Sequence, residues 1–122
     1  MTWRLLYVDD EADLREVAQM SLELDSDFEV RCCASGAEAV DEVQARRPDL
    51  VLLDVMMPAM DGPTTLQRIR ELPEGDMPIV FITARAADGD AVKLMTLGAA
   101  GVIPKPFDPM QLAAQVRQYL ER

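Results

Sequence analysis

Short apolar runs recur along the chain at residues 5–8, 28–33, 50–53, 79–82 and 101–103, and amphipathic stretches fill the intervals between them. Runs this short, rich in Val, Ile, Leu and Phe, predict buried strands, whereas the intervals carry apolar residues at helical spacing. Leu14, Val17, Ala18 and Leu22 share one helical face, with Arg15, Glu16 and Gln19 elsewhere on the helix. Ser35 and Glu38 have capping-box spacing and open a second helix that carries Ala39, Val40 and Val43 and is followed by Pro48. Asp61, Gly62 and Pro63 start a third, carrying Leu66 and Ile69. The fourth, residues 90–97 ending at Gly98, has the weakest pattern. Asp108 is expected to cap a fifth, with Pro109 at its first position and Leu112, Val116 and Leu120 on the buried face.

Strands alternating with helices of this length predict an α/β architecture, a parallel sheet covered on both faces with right-handed crossovers. Five such units suit the flavodoxin-like (βα)5 doubly wound sheet with strand order 2-1-3-4-5. No linker, repeat or low-complexity segment interrupts the sequence, so residues 1–122 are expected to form one domain.

Composition narrows the function. Asp and Glu number 22 against 12 Lys and Arg, a formal net charge of -10. Such a field repels nucleic acid and anionic lipid, so neither direct nucleic-acid binding nor membrane attachment is expected. Histidine is absent, which excludes a histidine acid, base, metal ligand or phosphoacceptor within the chain. Cys32 and Cys33 are adjacent in a strand whose side chains alternate between faces, so they are expected to stay reduced thiols. The first apolar run is too short for a signal-peptide core or a spanning helix, and a cytoplasmic location is expected. Trp3, near the start of the first strand, is expected to be a partly buried anchor far from any site at the other end of the sheet.

The stretch VLLDVMMPAMDG (51–62) runs a strand into Asp54. Asp is a common turn residue, but in open α/β sheets ligands bind at the carboxyl ends of the strands, at the point where strand order reverses. Asp9 and Asp10 follow the first strand, Asp54 ends the third, Thr83 ends the fourth and Lys105 follows the fifth. Taken singly, the acid pair reads as a helix cap, the lysine as a solvated surface group and the threonine as a strand end. Together they gather on one edge of one sheet. Crowded carboxylates repel, and oxygen ligands without imidazole or thiolate favour Mg²⁺. Lys105 supplies a compact cation and Thr83 a hydroxyl for phosphate oxygens. The set describes a phosphoryl-transfer site with a carboxylate nucleophile.

The motifs LLYVDDE (5–11), LVLLDVMMPAMDG (50–62), IVFITA (79–84) and KPF (105–107) together resemble receiver domains of two-component response regulators, over the whole chain. The resemblance implies that Asp54 is the phosphoacceptor, charged by a sensor histidine kinase or histidine phosphotransfer protein, and that a downstream protein target reads the change. It implies direct Mg²⁺ ligation by Asp10, Asp54 and the Met56 carbonyl, with Asp9 acting through a water and Mn²⁺ able to substitute. Thr83 and Lys105 would hold the phosphoryl oxygens, helped by amides near Met56 and Ala84, and Lys105–Pro106 would be a cis peptide. The domain would be regulatory rather than an enzyme on other substrates, catalysing only its own phosphorylation and slow autodephosphorylation. Met56, Met57 and Met60 are expected to pack the loop, and Pro58 and Gly62 to shape its turn.

One position departs from the family pattern. An aromatic or histidine usually stands three residues before the lysine, and here it is Val102. A β-branched side chain has few χ1 states and little reach, so the switch is expected to be read from the loop after Thr83 and from the fourth helix, whose Asp88-Gly89-Asp90 start predicts weak local order. A flavin carrier is disfavoured because acid, rather than Ser, Thr and Gly, follows the first strand. A carboxylate-nucleophile phosphatase is disfavoured because Met56 stands where a second Asp is needed. A phosphorylation-independent receiver-like interaction module remains the alternative, marked by a missing acid or lysine, and none is missing. With Met1 present and a helix reaching the last residues, a stand-alone receiver is expected over a fragment of a larger regulator or hybrid kinase.

Overall fold

The structure, a computed structural model, describes residues 2–121, so Met1 and Arg122 lie outside the described residues, as does the side chain of Asp88. Five strands alternate with five helices: β1 (Trp3–Val8), α1 (Ala12–Leu22), β2 (Phe28–Cys33), α2 (Gly36–Ala45), β3 (Leu50–Asp54), α3 (Gly62–Arg70), β4 (Ile79–Thr83), α4 (Asp88–Thr96), β5 (Gly101–Pro104) and α5 (Leu112–Leu120). All pairings are parallel, in the order β2-β1-β3-β4-β5. Every residue of β3 and β4 is buried, while β2, at an edge, alternates with exposed Glu29 and Arg31. Central parallel strands covered on both faces read as continuous apolar runs for that reason.

The pleat divides the core in two. Leu6, Val8, Val51, Leu53, Ile79 and Phe81 pack against α2, α3 and α4. Their neighbours Leu5, Tyr7, Leu50, Leu52, Val80 and Ile82 pack against α1 and α5. The cysteines follow the same alternation: both are free, Cys33 in the first cluster and Cys32 against the second. Trp3 is half-buried against the second cluster, as expected of an anchor. Among the described residues no helix is long and apolar enough to cross a membrane.

Helix boundaries depart from expectation in three places. Ser35 Oγ accepts from the Glu38 amide (3.2 Å), but Glu38 reaches back to the Ala34 amide (3.3 Å) rather than to that of Ser35. Asp108 does not cap α5: its carboxylate accepts from the Met110 amide (2.9 Å), closing an Asx turn, and the helix opens at Leu112 with Gln111 as N-cap. Pro109 therefore sits in that turn. α4 starts at Asp88 rather than Asp90, with no side-chain cap, and ends before Gly98, whose φ of 106° suits the left-handed position after a helix. On α1, Val17 is 39% exposed, because the buried face is made by Ala18, Ser21 and Leu22.

Candidate functional site

The site follows from register. β1 and β3 are neighbours with Val8 beside Leu53, so Asp9 and Asp54 emerge next to one another at the carboxyl edge. On the other side Asp54 pairs with Ile82, which puts Thr83 one residue further along the same edge. Thr83 pairs with Pro104, and its carbonyl accepts from the Lys105 amide at 2.8 Å. Strand order alone thus brings Asp9, Asp54, Thr83 and Lys105 together.

The side chains meet in a compact network. Lys105 Nζ lies 3.0 Å from Asp9 Oδ2 and 3.1 Å from Asp54 Oδ1, bridging the two carboxylates. Asp9 is fully buried, and Asp54 and Thr83 are nearly so; Asp10 is exposed at the rim. Carboxylate oxygens of Asp9, Asp10 and Asp54 all lie within 4.8 Å of one another. Burial pushes the Asp54 carboxyl up to about 6, reinforced by the charges of Asp9 and Asp10 and opposed by Lys105. Burial alone would lower the Lys105 ammonium, but its hydrogen bonds to Asp9 and Asp54 outweigh that and raise it. Three acids facing one ammonium leave net negative charge in a buried place, and the donors are all hard oxygens. The residues therefore fit a divalent cation of the Mg²⁺ type.

Thr83 Oγ1 accepts from the Arg85 amide at 2.9 Å, and its hydroxyl proton is free to be donated elsewhere. Ala84, exposed, opens the β4–α4 loop beside it. The Lys105–Pro106 peptide is cis. Below Asp54 the turn is built by close approach: the Gly62 amide donates to the Val55 carbonyl at 2.8 Å, and a Cβ on Gly62 would meet the Asp54 carbonyl oxygen. The methionines do not behave alike. Met57 is buried in the core and Met60 is half-buried, but the Met56 side chain is 70% exposed, contrary to loop packing. It lines a concavity with Val55, Pro63, Thr83, Arg85 and Leu94.

Two partners of Asp9 escaped the sequence reading. Tyr7 donates its hydroxyl to Asp9 Oδ2 at 3.0 Å, and Arg15 Nη1 donates to the Asp9 carbonyl at 2.8 Å. The strand period holds the signal for the first, since residues two apart share a face. Val102 is half-buried against the α2–α3–α4 side of the core.

Comparison with known proteins agrees with this geometry. The family profile for the response regulator receiver domain matches residues 5–117. Response regulator Rre1 of Synechocystis sp. is 44% identical over 119 residues, covering 97% of this chain and 52% of that protein. Transcriptional regulatory protein YvrH of Bacillus subtilis is 40% identical over 118 residues, covering 97% of this chain and 49% of that protein. The chain spans about half the length of the curated relatives it matches. Among solved structures, the chemotaxis protein CheY4 of Vibrio cholerae superposes with a TM-score of 0.91 at 29% identity, over 98% of this chain and 100% of that one. On fold, site and sequence, the chain belongs to the response regulator receiver domain family, the phosphoacceptor switches of two-component systems.

Proposed function

We propose that Asp54 accepts a phosphoryl group from the phosphohistidine of a partner kinase or phosphotransfer protein. The observation that carries this is the bridge of Lys105 between Asp9 and Asp54 at 3.0 and 3.1 Å, with Asp10 at the rim. An Asp54 carboxylate oxygen attacks phosphorus, the phosphorus–nitrogen bond breaks, and the electron pair leaves with the imidazole. Asp54 is suited to this because a strand end holds it rigidly, burial keeps its carboxylate poorly solvated and Lys105 sits against it. Lys105 and the Thr83 hydroxyl take phosphoryl oxygens, with amides near Met56 and Ala84 in support.

Asp10, Asp54 and the Met56 carbonyl would hold Mg²⁺, which supplies charge neutralisation at the phosphoryl oxygens when bound; Mn²⁺ meets the same oxygen set. Asp9 contributes indirectly, because its oxygens already accept from Tyr7, Lys105 and the Glu11 amide. The protein works as a regulatory domain over residues 1–122, in the cytoplasm, catalysing only its own phosphorylation and slow autodephosphorylation and changing its contacts with a downstream protein. Nothing in the site favours the phosphorylation-independent module, since no acid and no lysine is missing.

Incubation with Mg²⁺ and acetyl phosphate, followed by intact mass measurement, tests this. A phosphoryl adduct is expected in the wild type, absent in Asp54→Ala and blocked by chelation. No adduct in wild type with the fold intact would overturn it.

A further inference from the structure

The buried carboxylate of Asp9 accepts from three donors: the Glu11 amide at Oδ1 (3.0 Å), and both the Tyr7 hydroxyl (3.0 Å) and Lys105 Nζ (3.0 Å) at Oδ2. Lys105 is shared with Asp54. When the ammonium follows a phosphoryl oxygen on Asp54, Oδ2 of a carboxylate that is 0% exposed loses its ionic partner. A buried acceptor left without a donor is costly, and a charged one more so. We propose that Tyr7 is a positioning residue whose hydroxyl keeps Asp9 partnered while Lys105 turns from the carboxylates to the phosphoryl group. The inference rests on Asp54 being the phosphoacceptor.

Three features of Tyr7 suit that role. Its ring is 1% exposed and packed in the α1–α5 side of the core, so the hydroxyl cannot follow the phosphoryl group as the flexible lysine can. It lies two residues before Asp9, whose amide still pairs with the Cys33 carbonyl just past the end of β1, so the backbone sets the contact. A phenol also donates without adding charge, which leaves the acidic cluster its negative potential for a cation. Phe would fill the same space in the core, so the hydroxyl needs an explanation beyond packing.

Tyr7→Phe retains the ring and removes only the donor. Binding of beryllofluoride, a phosphoryl mimic, in saturating Mg²⁺ is expected to weaken about fivefold to tenfold, the size of one hydrogen bond. Affinity for Mg²⁺ alone, measured by calorimetry, is expected to change by less than about twofold, because Lys105 still serves Asp9 in that state. A merely structural hydroxyl would affect both titrations or neither, and either result overturns the proposal. If wild type takes up no beryllofluoride, the phosphoacceptor assignment fails and Tyr7 with it; uptake with equal affinity in both proteins overturns the Tyr7 role alone. Should Tyr7→Phe fail to fold, the wild-type Tyr7 hydroxyl proton decides by NMR. It should stay protected from exchange with and without beryllofluoride, and loss of protection on loading overturns the proposal.

Discussion

Lys105 Nζ sits 3.1 Å from Asp54 Oδ1, so the proposed phosphoacceptor rests against the cation that would serve its product. That ion pair does not cancel the cost of burying Asp54 beside Asp9 and Asp10, and its carboxyl stays raised from 3.8 to about 6. The folded protein then holds this proton more tightly than the unfolded chain. Stability from this group is complete below about pH 4 and is lost as pH rises to about 6. A shift of about two units is worth on the order of 2–3 kcal/mol. In metal-free buffer, Asp54→Asn is therefore expected to be more stable than wild type at neutral pH by up to that amount. Urea titrations from pH 4 to 8 should show the gap opening between about pH 4 and 6 and then holding constant; a gap independent of pH would remove Asp54 as its source.

Gly62 lies directly beneath the peptide that carries Asp54. A Cβ there would collide with the Asp54 carbonyl oxygen and come within 2.9 Å of Val55 Cα, and backbone cannot swing aside as a side chain can. Gly62→Ala is expected to cost about 1–3 kcal/mol by overpacking, and to slow phosphorylation by acetyl phosphate more than tenfold by displacing Asp54. Denaturant midpoints and adduct formation followed by mass measure the two effects. Normal rates in a destabilised variant would show that Asp54 tolerates the shift.

The thiols offer a test of the divided core. Burial pushes the Cys33 thiol up to about 12, with Glu42 and Glu38 adding to the effect, and burial raises Cys32 as well. Since the thiolate is the reactive form, neither should be alkylated by iodoacetamide at pH 8 in the native state, whereas both should react in urea. Rapid native labelling of Cys33 would mean that β2 opens readily.

Much of this site was legible because strand order turns a list of positions into a place. The continuous apolar runs of β3 and β4 marked central strands, and once the order was set, Asp9, Asp54, Thr83 and Lys105 had to share an edge. What stayed hidden depended on contacts that periodicity does not encode. Val17 fits the apolar face of α1 by spacing, yet Ala18, Ser21 and Leu22 make the buried contact. Asp108 has the chemistry of an N-cap and of an Asx turn alike, and backbone geometry chose the turn. Met56 and Met57 look equivalent in sequence, but one is exposed and the other buried. Tyr7 reads as an apolar strand residue until its hydroxyl is seen on Asp9.

The loose attachment of α4 bears on how a phosphoryl group at Asp54 is reported with Val102 in place of an aromatic. Leu94 is the one buried side chain of α4 among the described residues, and the helix begins without a side-chain cap. Few buried contacts mean a low free energy of local opening. The loop from Thr83 to α4 starts at the residue whose hydroxyl would turn to the phosphoryl group, and that turn would release the Arg85 amide it now accepts from. Amide exchange should therefore be faster in α4 than in α1, α2, α3 or α5 before loading, and beryllofluoride should change protection chiefly between residues 84 and 97. Leu94→Ala, a truncation that costs about 2–5 kcal/mol in a well-packed core, should raise α4 exchange further while leaving phosphorylation by acetyl phosphate within about threefold of wild type, because it removes none of the charged or hydroxyl groups of the site. Exchange changes confined to the residues around Asp54 would show that the signal leaves the site by another route.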